Sequence, residues 1–103
     1  MIRLLILYGQ PKDPAGFLKY YNEVHIPIAK KMKGLKGWTI GKVIGTPDNQ
    51  PTPYFYVADL VAESRSAMEA FLESPEGRAA VSDVPNFASG GVTFVYTDFE
   101  TVI

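Results

Sequence analysis

The chain has 103 residues, 47% of them hydrophobic and 20% charged, an ordinary globular balance with enough apolar material for one domain over residues 1–103. Ten basic against eleven acidic side chains, with no block of like charge, argue against a nucleic-acid or anionic-membrane surface. Cysteine is absent, which excludes disulfides, thiolate catalysis and Cys-ligated metal; no charged leader precedes a long apolar stretch, so no signal peptide or transmembrane helix is expected and the cytoplasm is the default compartment.

Ile2 to Tyr8 (IRLLILY) is a nearly continuous apolar run closed by Gly9 and Pro11, the pattern of a strand covered on both faces. Asp13 before Pro14 reads as an N-cap with proline at the first helical position, and Phe17, Tyr21, Val24 and Ile28 follow at helical spacing. Pro27 lacks an N–H for the Glu23 carbonyl and pushes Ile26 out of the helical region, so this helix is expected to end or kink close to His25. Lys36 to Gly45 (KGWTIGKVIG) reads as a second strand, with Gly37 and Gly41 marking a bend or bulge.

TPDNQPTP is a turn-rich loop, after which Tyr54 to Val61 (YFYVADLV) has the aromatic and β-branched density of a third strand. Ser66 with Glu69 forms an expected capping box for a second helix, which Ser74 and Pro75 break and restart before Pro85 stops it. Val92 to Phe99 (VTFVYTDF) supplies the fourth strand. The order is βαββαβ, the α+β, ferredoxin-like arrangement of a four-stranded antiparallel sheet with both helices on one face. Three strands nevertheless carry apolar side chains at both parities, so the open face needs a second cover. Another copy of the same sheet is the simplest one, which predicts a homodimer through that face, closing into a dimeric α/β barrel.

These residues resemble the EthD family. The segment YYNEVHIPIA running into KGLKGW, the SPEG restart, and above all the H-x-P at His25 and Pro27 and the DVPNF stretch from Asp83 to Phe87 carry the likeness, which covers essentially the whole chain. The resemblance implies a dimeric α/β barrel with a small-molecule cavity between helices and sheet or within the barrel. Similar barrels include muconolactone isomerases, cofactor-independent quinone-forming monooxygenases and polyketide cyclases. Fold by itself does not choose among them.

His25, the only histidine, borders the apolar stripe four residues after Tyr21 and is the first candidate for general acid or base work. The competing reading makes it a cap for carbonyls freed by Pro27. Asp59, a carboxylate in an apolar strand, is the second candidate, either as the partner that sets the imidazole tautomer or as a residue on a wet rim. Tyr8, Tyr21, Trp38, Tyr56, Phe94 and Tyr96 are candidate walls of a cavity for a small apolar or aromatic molecule; packing alone is the competing reading for each.

One histidine and no cysteine support no metal site, and the absence of GxGxxG, P-loop and GxSxG patterns supports no bound cofactor and no serine-hydrolase elbow. The resemblance to the EthD family, with His25 as general acid or base, implies a cofactor-independent oxidoreductase or isomerase acting on an apolar carbonyl, lactone or aromatic compound in a catabolic pathway. The alternatives are a ligand-binding accessory protein without catalysis and a purely structural dimer without a cavity.

Overall fold

The apolar run at the N-terminus becomes a central strand because it has neighbours on both edges. In the computed structural model, which describes residues 1–103, the strands β1 (Ile2–Gly9), β2 (Gly37–Lys42), β3 (Tyr54–Ala62) and β4 (Val92–Asp98) form one antiparallel sheet in the order β2-β3-β1-β4. Helices α1 (Pro14–Tyr20) and α2 (Ile26–Ala29) follow β1, and α3 (Arg65–Glu73) and α4 (Pro75–Asp83) follow β3. This is the ferredoxin-like order expected from the sequence.

The even-numbered side chains of the two central strands face the helices. Leu4 and Tyr8 on β1 and Tyr56, Ala58, Leu60 and Ala62 on β3 are all buried there, against Phe17, Met68, Ala80 and Phe87. The odd-numbered side chains Leu5, Leu7, Val57 and Val61 lie on the other face and remain half-exposed. Register breaks once, between Tyr8 and Gly9, where Phe55 is the extra residue on β3. That bulge turns Phe55 into the helix-side core, where its ring centroid lies 5.2 Å from that of Phe17. The bulge expected at Gly37 or Gly41 is absent, since β2 pairs without interruption from Gly37 opposite Val61 to Lys42 opposite Tyr56.

Both helical segments differ from expectation at one point each. Ser64, not Ser66, caps α3, accepting from the Ala67 N–H at 3.1 Å. Glu69 is then free to receive Arg65 Nε at 2.7 Å, one helical turn away. The regular helix is interrupted close to His25, as expected, but it does not stop: Tyr21–His25 form a π-helical turn, and the chain continues through Pro27 to Ala29. Ile26, ahead of the proline, keeps helical angles of φ −57° and ψ −48°.

Spacing explains the wide turn. Phe17, Tyr21, His25 and Ala29 recur every four residues and are all buried, whereas three regular α-turns take only ~10.8 residues. A stripe of strict four-residue period drifts around an α-helix, and one wide turn takes up the surplus residue. Pro27 then sits in the first turn of the restarted helix, where a missing N–H leaves no partner unpaired. Asn22 completes the adjustment by donating its side-chain amide to the Leu18 carbonyl at 2.7 Å.

Candidate active site

The π-turn brings the Tyr21 and His25 rings within 5.0 Å of each other and turns both toward the sheet. His25 is 5% exposed. Its Nδ1 lies 2.9 Å from Oδ2 of Asp83, the last residue of α4, so the bond does not run to carbonyls freed by the proline. Asp83 is itself buried, and its other oxygen accepts from the Tyr20 hydroxyl at 2.6 Å and from the Asn86 amide at 3.1 Å.

Burial pushes the Asp83 carboxyl up, yet the hydrogen bonds from Tyr20, His25 and Asn86 outweigh it and hold the group below the usual carboxylate range. An ionised Asp83 can only accept, so Nδ1 of His25 carries a proton, and Nε2 is the nitrogen left to exchange one with a ligand. This is the arrangement in which a carboxylate fixes an imidazole for use as a base.

His25 forms part of the wall of a cavity of about 520 Å³ between sheet and helices. Leu4, Ile6 and Leu60 of the sheet, with Met32 and Val84 opposite, make most of its lining apolar. The polar groups are few: His25, the tyrosines Tyr8, Tyr21 and Tyr96, the Trp38 indole, and the exposed Glu73, Arg78 and Ser82. Tyr8 is fully buried, and neither its hydroxyl nor Trp38 Nε1 has a hydrogen-bond partner. An apolar pocket with a small number of convergent polar groups is the usual form of a small-molecule site.

Of the residues marked in the sequence, Tyr8, Tyr21, His25, Trp38, Phe94 and Tyr96 all lie on this cavity. Tyr56 does not: it is buried in the core against Tyr21, with ring centroids 4.9 Å apart. Asp59 lies on the opposite face of the sheet, where its carboxylate meets Arg3 Nε at 2.9 Å, and so it cannot serve His25. The partner of His25 is Asp83, a residue of the DVPNF stretch that had drawn attention without being given a role. No group of three His, Cys, Asp or Glu side chains is placed to hold a metal ion, and no helix is long and apolar enough to cross a membrane.

The sheet order and the cavity under its helices define a ferredoxin-like α+β domain with a mostly apolar cavity. Residues 9–91 match the EthD domain, and the chain belongs to the EthD family. A relative from Rhodococcus erythropolis, described as an uncharacterized 11.0 kDa protein in the thcB-thcC intergenic region, is 41% identical over 103 residues, covering 100% of this chain and 99% of its own. The crystal structure of an EthD family protein from Bacillus halodurans superposes with a TM-score of 0.89 at 23% identity, over 97% of this chain and 99% of that one. A dimeric ferredoxin-like protein of unknown function from Thermobifida fusca gives 0.69 at 14% identity, over 93% and 88% of the two chains.

Proposed function

We propose that the protein is a small-molecule enzyme that moves a proton on an apolar ring ketone, lactone or other enolisable aromatic compound, with His25 as the general base and acid. The observation that carries this reading is the His25–Asp83 pair on the wall of an otherwise apolar cavity. Nε2 of His25 takes the proton from the carbon beside the carbonyl. The C–H electron pair becomes the C=C bond of an enolate, and the carbonyl π pair moves onto oxygen. Returning the proton to another carbon completes an isomerisation. The same enolate is the species that an oxidation of the ring would consume, so one step serves both reaction classes, and the pair supports it without a tightly bound cofactor. Asp83 acts as a positioning residue, since it touches only the imidazole and holds the tautomer in place.

The test is deuterium incorporation next to the carbonyl, followed by proton NMR in D₂O over a panel of ring ketones and lactones. The protein should accelerate exchange for at least one of them. His25→Gln should return the rate to that of buffer, and Asp83→Asn should lower it about 100-fold, in the range of general-base contributions. Exchange by His25→Gln at the full rate would sink the assignment. Tight binding with no exchange anywhere in the panel would make the protein a ligand-binding accessory.

A further inference from the structure

We infer that the Tyr21 hydroxyl, backed by the Tyr8 hydroxyl and the Trp38 indole N–H, is an oxyanion-binding site for the carbonyl oxygen of a ring-borne ketone lying in the cavity. This rests on the cavity's being a site for chemistry next to a carbonyl, and it names the atom by which the substrate is held. Tyr8 comes from β1, Tyr21 from the π-turn and Trp38 from β2, so three separate elements bring polar side chains to one cavity. The Tyr8 hydroxyl and Trp38 Nε1 both lie beside the Tyr21 hydroxyl, but neither makes a well-formed hydrogen bond.

A count of protons makes the cluster a donor site. The trio offers three N–H or O–H donors, and only the two tyrosine oxygens can accept, because an indole nitrogen is a donor alone. One hydroxyl proton can be spent between the tyrosines and the indole proton can go to either oxygen; the remaining hydroxyl proton then has no acceptor within the trio. Tyr8 is fully buried, where an unmatched polar group costs stability. Burial and neighbouring groups push both phenols above their ordinary range, so at neutral pH they are proton donors and not phenolates.

What this cluster lacks is an acceptor. A carbonyl oxygen supplies it, and the bond strengthens as negative charge builds on that oxygen while a base removes the neighbouring proton. His25 stands next to Tyr21 on the same wall, so the base and the foremost oxyanion donor come from a single helical turn. The remaining lining is apolar and suits the hydrocarbon ring that carries the carbonyl.

The experiment compares binding of 1-indanone and indane, two rings of the same shape that differ by one carbonyl oxygen, to the purified protein and to Tyr21→Phe, Trp38→Phe and His25→Gln. In Tyr21→Phe the affinity for 1-indanone should fall about tenfold, as for one lost hydrogen bond, while indane affinity holds. Trp38→Phe should give a smaller loss in the same direction. The infrared C=O stretch of bound 1-indanone should lie lower in the native protein than in Tyr21→Phe. His25→Gln should leave the contrast between the two ligands intact, so the base assignment can fail while this one stands. Equal losses of both ligands in Tyr21→Phe, an unchanged carbonyl frequency, or binding of neither ligand by the native protein overturns the inference.

Discussion

Asp83 is a carboxylate held out of water by three donors, and its contribution to the fold can be separated from its contribution to the site. Removing it leaves the Tyr20 hydroxyl, the Asn86 amide and His25 Nδ1 without an acceptor. Asp83→Ala should therefore cost roughly 3 kcal/mol in chemical denaturation, the scale for breaking a buried charged network. Acid should act through the same group. Its folded-state pKa lies below the ordinary value of 3.8, so its stabilisation is complete above that value and is lost as pH falls through the lower, folded one. The native protein should lose stability below about pH 4, and Asp83→Asn, which cannot ionise, should show a shallower acid slope; identical slopes would mean that Asp83 does not set the acid limit. His25 was legible in the sequence as a lone titratable side chain on an apolar stripe. Asp83 was not, because its partner lies 58 positions away and no local spacing joins them. A signal was nevertheless present: Gly77, Ala80 and Asp83 recur every three residues along one buried face of α4. Asp59 drew the assignment because it stands in an apolar strand. The bulge that removes Phe55 from its side of the sheet, and the Arg3 that pairs with it, are invisible to strand parity.

At the level of elements, the site depends on how α4 starts, since α4 delivers Asp83 at its other end. Ser74 caps it by accepting from the Gly77 N–H at 3.1 Å, and Gly77 lies against the end of α3. A Cβ at residue 77 would collide with the Phe71 carbonyl oxygen and with Leu72 backbone, neither of which can swing aside. In an open helix Gly→Ala stabilises by up to about 1 kcal/mol. Here the collision should win, and Gly77→Ala should destabilise by about 2 kcal/mol, a fall in thermal midpoint of roughly 10 °C for a chain of this size. A rise in the midpoint would show that α3 and α4 slide apart freely. Helix starts were readable where a side chain and a proline act locally, as at Asp13–Pro14 and Ser74–Pro75. The π-turn went unread because Pro27 was weighed by the hydrogen bond it lacks. The four-residue recurrence of Phe17, Tyr21, His25 and Ala29 already required one wide turn, which moves the proline into a first-turn position where that lack is harmless.

For the molecule as a whole, the feature left without a partner is the face of the sheet that no helix covers. Leu5, Leu7, Val57 and Val61 stand on it half-exposed, Val95 is 40% exposed, and the Arg3 guanidinium lies over the Phe99 ring at the end of β4. A row of aliphatic side chains on a sheet face is a poor surface to leave in water, and similar folds are described as dimeric. We propose that two copies meet through this face, with the helices and their cavities outward. Leu5 is the informative position, because it sits on a central strand directly opposite Asp59 of β3 and Val95 of β4. Leu5→Lys places a charge at the centre of the proposed interface, where like charges from the two copies would be desolvated together, yet in a separate subunit the ammonium can pair with Asp59. The variant should run as a monomer in sedimentation experiments at concentrations where the native protein is a dimer, and it should keep its near-ultraviolet aromatic signal, because Tyr8, Tyr21 and Phe87 lie on the other side of the sheet. Binding of 1-indanone should survive in that monomer, since His25, Tyr8 and Tyr21 lie on the helix side of the sheet, away from the proposed interface. Dimers that persist unchanged in Leu5→Lys would place the interface elsewhere, and loss of ligand binding in a folded monomer would mean that the second subunit completes the cavity.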